Sequence, residues 1–111
     1  MEILQERDGS IVVVKPRGRL DSSAAKSAEE QLIAALGGSE PRLAIDMSGL
    51  DYISSAGLRV MLLVAKKVQQ LNGKLALFGL VPNVREVFRV SGFDTILQIR
   101  DDRAAALAAV G

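Results

Sequence analysis

Asp51-Tyr52-Ile53-Ser54-Ser55-Ala56-Gly57-Leu58-Arg59 sets two adjacent serines where a strand-following loop runs into a strongly amphipathic helix. Upstream, Pro41 introduces a buried strand at Leu43-Ala44-Ile45-Asp46-Met47, and Ser48-Gly49-Leu50-Asp51 carries the chain to the serines. Downstream, Leu58, Met61, Leu62, Ala65 and Val68 recur at helical spacing. Ser54 or Ser55 is therefore the expected N-cap, where a hydroxyl can accept a bond from an orphan backbone N–H. A phosphate on that hydroxyl would face the positive end of the helix dipole. On residue types alone, Ser54-Ser55-Ala56-Gly57 is more simply a cap followed by a tight-packing glycine, since serines at N-caps are common.

Working outward, the same alternation of strand and helix repeats. Ile3 and Leu4 open an edge strand, Asp8-Gly9-Ser10 forms a hairpin turn, and Ile11-Val12-Val13-Val14 reads as a strand buried on both faces. Gly18-Arg19-Leu20-Asp21 closes it, and Asp21, Ser22 or Ser23 can cap a helix from Ala24 to Leu36 that Gly37-Gly38 ends. After the serine-led helix, Leu71-Asn72-Gly73 is a stop and Lys74–Phe78 another strand. Pro82 favours the first turn of a third helix, with Val81, Val84, Val87 and Phe88 on one face and Asn83, Arg85, Glu86 and Arg89 towards water. Gly92 breaks it, Ile96-Leu97-Gln98-Ile99 reads as a short strand, and Asp101-Asp102 begins a last helix through Val110. The pattern predicts one α/β domain over residues 1–111, with a mixed β-sheet and about four α-helices following an N-terminal β-hairpin.

Composition excludes several functions. With 14 basic and 13 acidic side chains the net charge is +1, and three Phe and one Tyr supply few stacking platforms. Neither figure suits a nucleic-acid binder. The absence of cysteine and histidine removes disulfides, the usual zinc sites and the Ser-His-Asp triad. No cofactor is implied. No segment reaches membrane-spanning length and the N-terminus has no signal-like apolar run, so neither membrane insertion nor export is expected and the expected location is cytoplasmic.

Asp46-Met47-Ser48-Gly49-Leu50-Asp51-Tyr52-Ile53-Ser54-Ser55-Ala56-Gly57-Leu58 resembles the signature of STAS-domain anti-sigma factor antagonists. Gly18-Arg19-Leu20-Asp21 is similar to that family's Gly-x-Leu-Asp turn, and Phe88 to Gly92 to its Phe-x-x-x-Gly segment. The resemblance implies a STAS-type single domain in which Ser55, two residues before Gly57, is the phosphoacceptor. Ser54 stands where many members carry Asp, and Arg59 where many carry Gly. It further implies partner switching: the unmodified protein binds an anti-sigma factor that is also a serine kinase, phosphorylation of Ser55 ends that binding, and a PP2C-type phosphatase restores it. The expected partner surface comprises Asp21, Ser22, Ser54, Ser55, Gly57, Leu58 and Arg59, with Asp21 also a candidate cap and Arg59 either solvated or within reach of the phosphate. On this reading the protein is a kinase substrate and not an enzyme.

Three rival readings attach to the same residues. A STAS module can serve a lipid-transport or other signalling complex, with Ser55 purely structural. Asp46, ending a central strand, is similar to the phosphoacceptor of response-regulator receivers, but the acidic pair and lysine such domains need are not evident. Ser55 as a catalytic nucleophile lacks a neighbouring base, with only Lys66 or Lys67 as distant candidates.

Overall fold

The computed structural model describes all residues from Met1 to Gly111. A six-stranded mixed sheet carries helices on both faces. Strand β1 (Glu2–Asp8) pairs antiparallel with β2 (Ile11–Leu20), as a tight Gly9 turn at φ 62° allows. Every later pairing is parallel: β2 with β3 (Arg42–Asp46), β3 with β5 (Lys74–Phe78), and β5 with β6 (Ile99–Arg100). The sheet order is β1-β2-β3-β5-β6, with β4 (Leu50–Ile53) pairing with β2 alone. The helices α1 (Ala25–Leu36), α2 (Ser55–Gln70), α3 (Pro82–Ser91) and α4 (Arg103–Val110) alternate with these strands.

The run Ile11–Val14 shows why two layers are needed, since successive side chains of a strand point to opposite faces. Val12 and Val14 join the larger core with Leu32, Met61, Val64, Val84 and Phe88 from α1, α2 and α3. Ile11 and Val13 join a smaller core closed by Ala106 and Val110 of α4. All four are buried, as the unbroken β-branched run predicts.

Three details differ from the sequence reading. Residues 50–53, expected to be loop, form β4, with Gly18↔Leu50, Arg19↔Tyr52 and Leu20↔Ile53 in register past a bulge in β2. Gly18 absorbs that bulge at φ 98°, a conformation that L side chains rarely adopt. The strand expected at Ile96–Ile99 is shorter and later: a 3₁₀ turn occupies Phe93–Thr95, Ile96 is exposed, and only Ile99 and Arg100 pair with β5. Amides from Thr95 to Leu97 bond back to Gly92 and Phe93, which holds this stretch in a turn. The buried face of α2 is Leu58, Val60, Met61, Val64 and Val68, with Leu62 and Ala65 only half-buried. The helix is rotated in this way because it packs on α1 as well as on the sheet.

Candidate functional site

The two serines divide their work. Ser54 has extended backbone (φ −93°, ψ 175°) and is the N-cap of α2, its hydroxyl oxygen accepting from Gly57 N–H at 3.2 Å. Its own amide donates to Leu20 O at 2.9 Å, and its carbonyl accepts from Leu58 N–H at 2.9 Å. Ser55 is the first residue of α2 and is exposed, and its hydroxyl is left out of the capping bond. The Ser55 side chain is thus free while its neighbour holds the helix start.

Gly57 explains how close that helix start lies to the sheet. A Cβ there would stand 2.7 Å from Leu20 O and 2.8 Å from side-chain carbons of Leu20 and Ile53. Only glycine fits without displacing β2 or β4. Gly57 is therefore buried scaffolding, and Leu58 is buried too, at 8% exposure.

The Ser54 amide bond to Leu20 brings the turn after β2 beside the serines. In that turn a single oxygen of Asp21, Oδ1, accepts from Ser23 Oγ at 2.7 Å and from the amides of Ser23 and Ala24 at 3.1 Å each. The Ser23 hydroxyl bond, the Ala24 amide and the nearby Arg19 charge hold the Asp21 carboxyl below its ordinary range. Asp21 so caps the turn leading into α1, while the N-cap position itself, Ala24, has no side chain to do so. Ser22 is exposed beside it.

Arg19 and Tyr52, which the sequence reading did not single out, form a further part of this surface. The Arg19 guanidinium carbon lies 4.2 Å from the Tyr52 ring centroid, a cation–π distance. Their pairing follows from the β2–β4 register and was hidden because β4 itself was not recognised. Asn83, expected to face water, instead donates from Nδ2 to Asp51 O at 2.7 Å, which ties the start of α3 to β4.

Two clefts flank the start of α2. Arg59 lines the one shared with Ala25, Lys26 and Glu29 of α1. Ser55 lines the other, with Leu58 of α2 and Glu86, Val87, Val90 and Ser91 of α3. Arg59 and Ser55 thus address different grooves, and Arg59 makes no ion pair. Glu86 is bound by Arg89, whose hydrogen bond and charge keep the carboxyl below its ordinary range. Asp46 uses Oδ1 to accept from Ser48 N–H at 3.0 Å and Ser48 Oγ at 2.7 Å, a local turn that engages this oxygen. No cluster of three or more acidic, His or Cys side chains is placed to hold a metal ion.

The STAS domain profile matches residues 2–106. The chain belongs to the STAS domain family. This STAS chain is 42% identical over 109 residues to BtrV of Bordetella bronchiseptica, whose assigned role is anti-sigma factor antagonist, covering 98% of this chain and 94% of that one. It is 28% identical to the anti-sigma-B factor antagonist of Listeria monocytogenes, over 88% of this chain and 86% of the other. Among solved structures, an anti-sigma factor antagonist from Mycobacterium paratuberculosis superposes with a TM-score of 0.88 at 26% identity, over 98% of this chain and 92% of that one. The mixed sheet and four helices are those of the STAS fold. No helix is long and apolar enough to cross a membrane.

Proposed function

We propose that this STAS protein is an anti-sigma factor antagonist that works by partner switching, with Ser55 as its phosphoacceptor. The observation that carries the reading is the exposed Ser55 hydroxyl, outside the capping bond, at the first position of a helix already capped by Ser54. The roles assigned to the relatives support it. Unmodified, the protein binds an anti-sigma factor that is also a serine kinase, and the sigma factor is released. The kinase transfers phosphate to Ser55, binding is lost, and a PP2C-type phosphatase resets the cycle.

The energetics suit such a switch. A phosphate adds about −1.5 to −2 charges at neutral pH. One like-charge contact near 4 Å is worth roughly 4 kcal/mol at an effective dielectric of 20. A third of that, about 1.4 kcal/mol, shifts affinity about tenfold. Refolding is not required. On this reading the protein is regulatory and not itself an enzyme: the carboxylate that shares the Ser55 cleft, Glu86, is held by Arg89 with a lowered pKa, which makes it a poor general base.

Incubation with ATP and the host's anti-sigma kinases, followed by mass spectrometry, is expected to find phosphate on Ser55. Ser55→Asp should bind the kinase about tenfold or more weakly, while Ser55→Ala retains binding and loses the label. Equal affinities of the two variants would remove the charge argument.

A further inference from the structure

Val90 is the most exposed large apolar side chain of the protein, at 72%, and it stands in the cleft that holds Ser55. It is not a core residue turned outward by fraying, because the core face of α3 is filled by Val84 and Phe88, both fully buried. The cleft it borders measures about 350 Å³ and has Leu58 and Val87 as its other apolar members. Its polar members are largely spoken for. Ser91 Oγ donates to Phe88 O at 3.0 Å, and Glu86 is neutralised by Arg89. Ser55 alone presents a free hydroxyl.

We propose that the α2–α3 cleft receives an apolar side chain of the anti-sigma kinase, with Val90 as the exposed wall it packs against. The inference rests on the partner-switching reading, and it adds α3 to the interface. Continuity argues for this occupant: Ser55 lines the cleft, so a kinase that reaches Ser55 covers its mouth. With no unpaired charge on the lining, the contact that fits is apolar, and a buried apolar anchor ringed by polar groups is the form that binding energy takes in most protein interfaces.

The cleft also gives the phosphate a second way to act. A phosphorylated Ser55 would have to be dehydrated for the apolar contact to close over the groove it lines. Dehydrating an unpaired anion opposes burial strongly. The modification therefore blocks the docking of a side chain as well as repelling like charge.

The test measures binding of the purified unphosphorylated protein to each of the host's purified anti-sigma kinases in turn. Val90→Lys is expected to raise Kd about tenfold or more, and the isosteric Val90→Thr to raise it less, with both variants melting like the wild type. Ile96→Lys, at another exposed apolar residue outside this cleft, is expected to bind normally. Wild-type affinity for Val90→Lys, alongside weakened Ser55→Asp, would overturn the cleft contact and leave partner switching standing. If no anti-sigma kinase binds or phosphorylates the wild type, the switching reading falls and this inference falls with it.

Discussion

Two neighbouring serines of identical chemistry do different things here because one residue of helical phase separates them. Ser54 is outside the helix with extended backbone, where its oxygen reaches the Gly57 amide, whereas Ser55 is inside the first turn and exposed. Ser54→Ala should therefore lower stability by about 1 kcal/mol, the usual worth of an N-cap, and Ser55→Ala should not; urea unfolding of the two variants separates these outcomes. The same neighbourhood contains a titrating group. Asp21 has its carboxyl lowered from 3.8, with the Ser23 hydroxyl bond as the largest cause. A depressed carboxyl favours the folded state when ionised, so its contribution is complete above the unfolded pKa and disappears as pH falls through the folded one. The stability difference between wild type and Asp21→Asn is accordingly expected to hold steady near neutrality and to shrink below pH 3.8, as read from denaturant melts across pH.

At the level of elements, the turn that carries Ser54 and Ser55 is fixed from three directions. β2 receives the Ser54 amide through Leu20 O, the missing Cβ of Gly57 lets α2 rest on β2 and β4, and Asn83 ties α3 to the backbone of β4. These contacts hold α3 beside α2 and so shape the groove that Ser55 shares with Val87 and Val90. The Asn83 bond is exposed, and its loss should weaken the protein by only about 0.5 kcal/mol, the low end for a hydrogen bond. Its larger effect is expected in local opening: hydrogen exchange of Asn83→Ala should speed up at the start of α3 and in β4 while the central β3 and β5 amides keep wild-type protection. Unchanged exchange at α3 would show that core packing of Val84 and Phe88 alone positions the helix.

For the whole molecule, a net charge of +1 changes sign when a phosphate of about −1.5 to −2 is added, yet the fold has no reason to respond. A phosphate on Ser55 would sit at the positive end of a 16-residue helix, a location worth about 0.3–1 kcal/mol in its favour, and Ser55 is an exposed residue outside the core. Phosphorylated protein is expected to keep its circular dichroism spectrum and to melt at the wild-type temperature or a few degrees above it; a clearly lower melting temperature would mean that the switch works by loosening the domain.

Much of this molecule was legible in one dimension. Unbroken β-branched runs such as Ile11–Val14, period-3.6 faces such as Val84–Phe88, and the punctuation of Gly9, Pro82 and Gly92 are local physics, and they determined the alternation of elements and the single mixed α/β domain. The neighbourhood of Ser55 was legible for the same reason, since a polar hydroxyl before an apolar helix face is a local pattern. Tertiary structure alone decided the rest. β4 is a four-residue strand with two exposed side chains, too short for a periodic signal, and it exists because β2 offers it a free edge past a bulge. The stacking of Arg19 on Tyr52, the pairing of Asn83 with Asp51, the assignment of Arg59 and Ser55 to separate grooves, and the exposure of Val90 beside Ser55 all depend on residues distant in sequence meeting across that packing, where side-chain direction and not residue type sets what touches what.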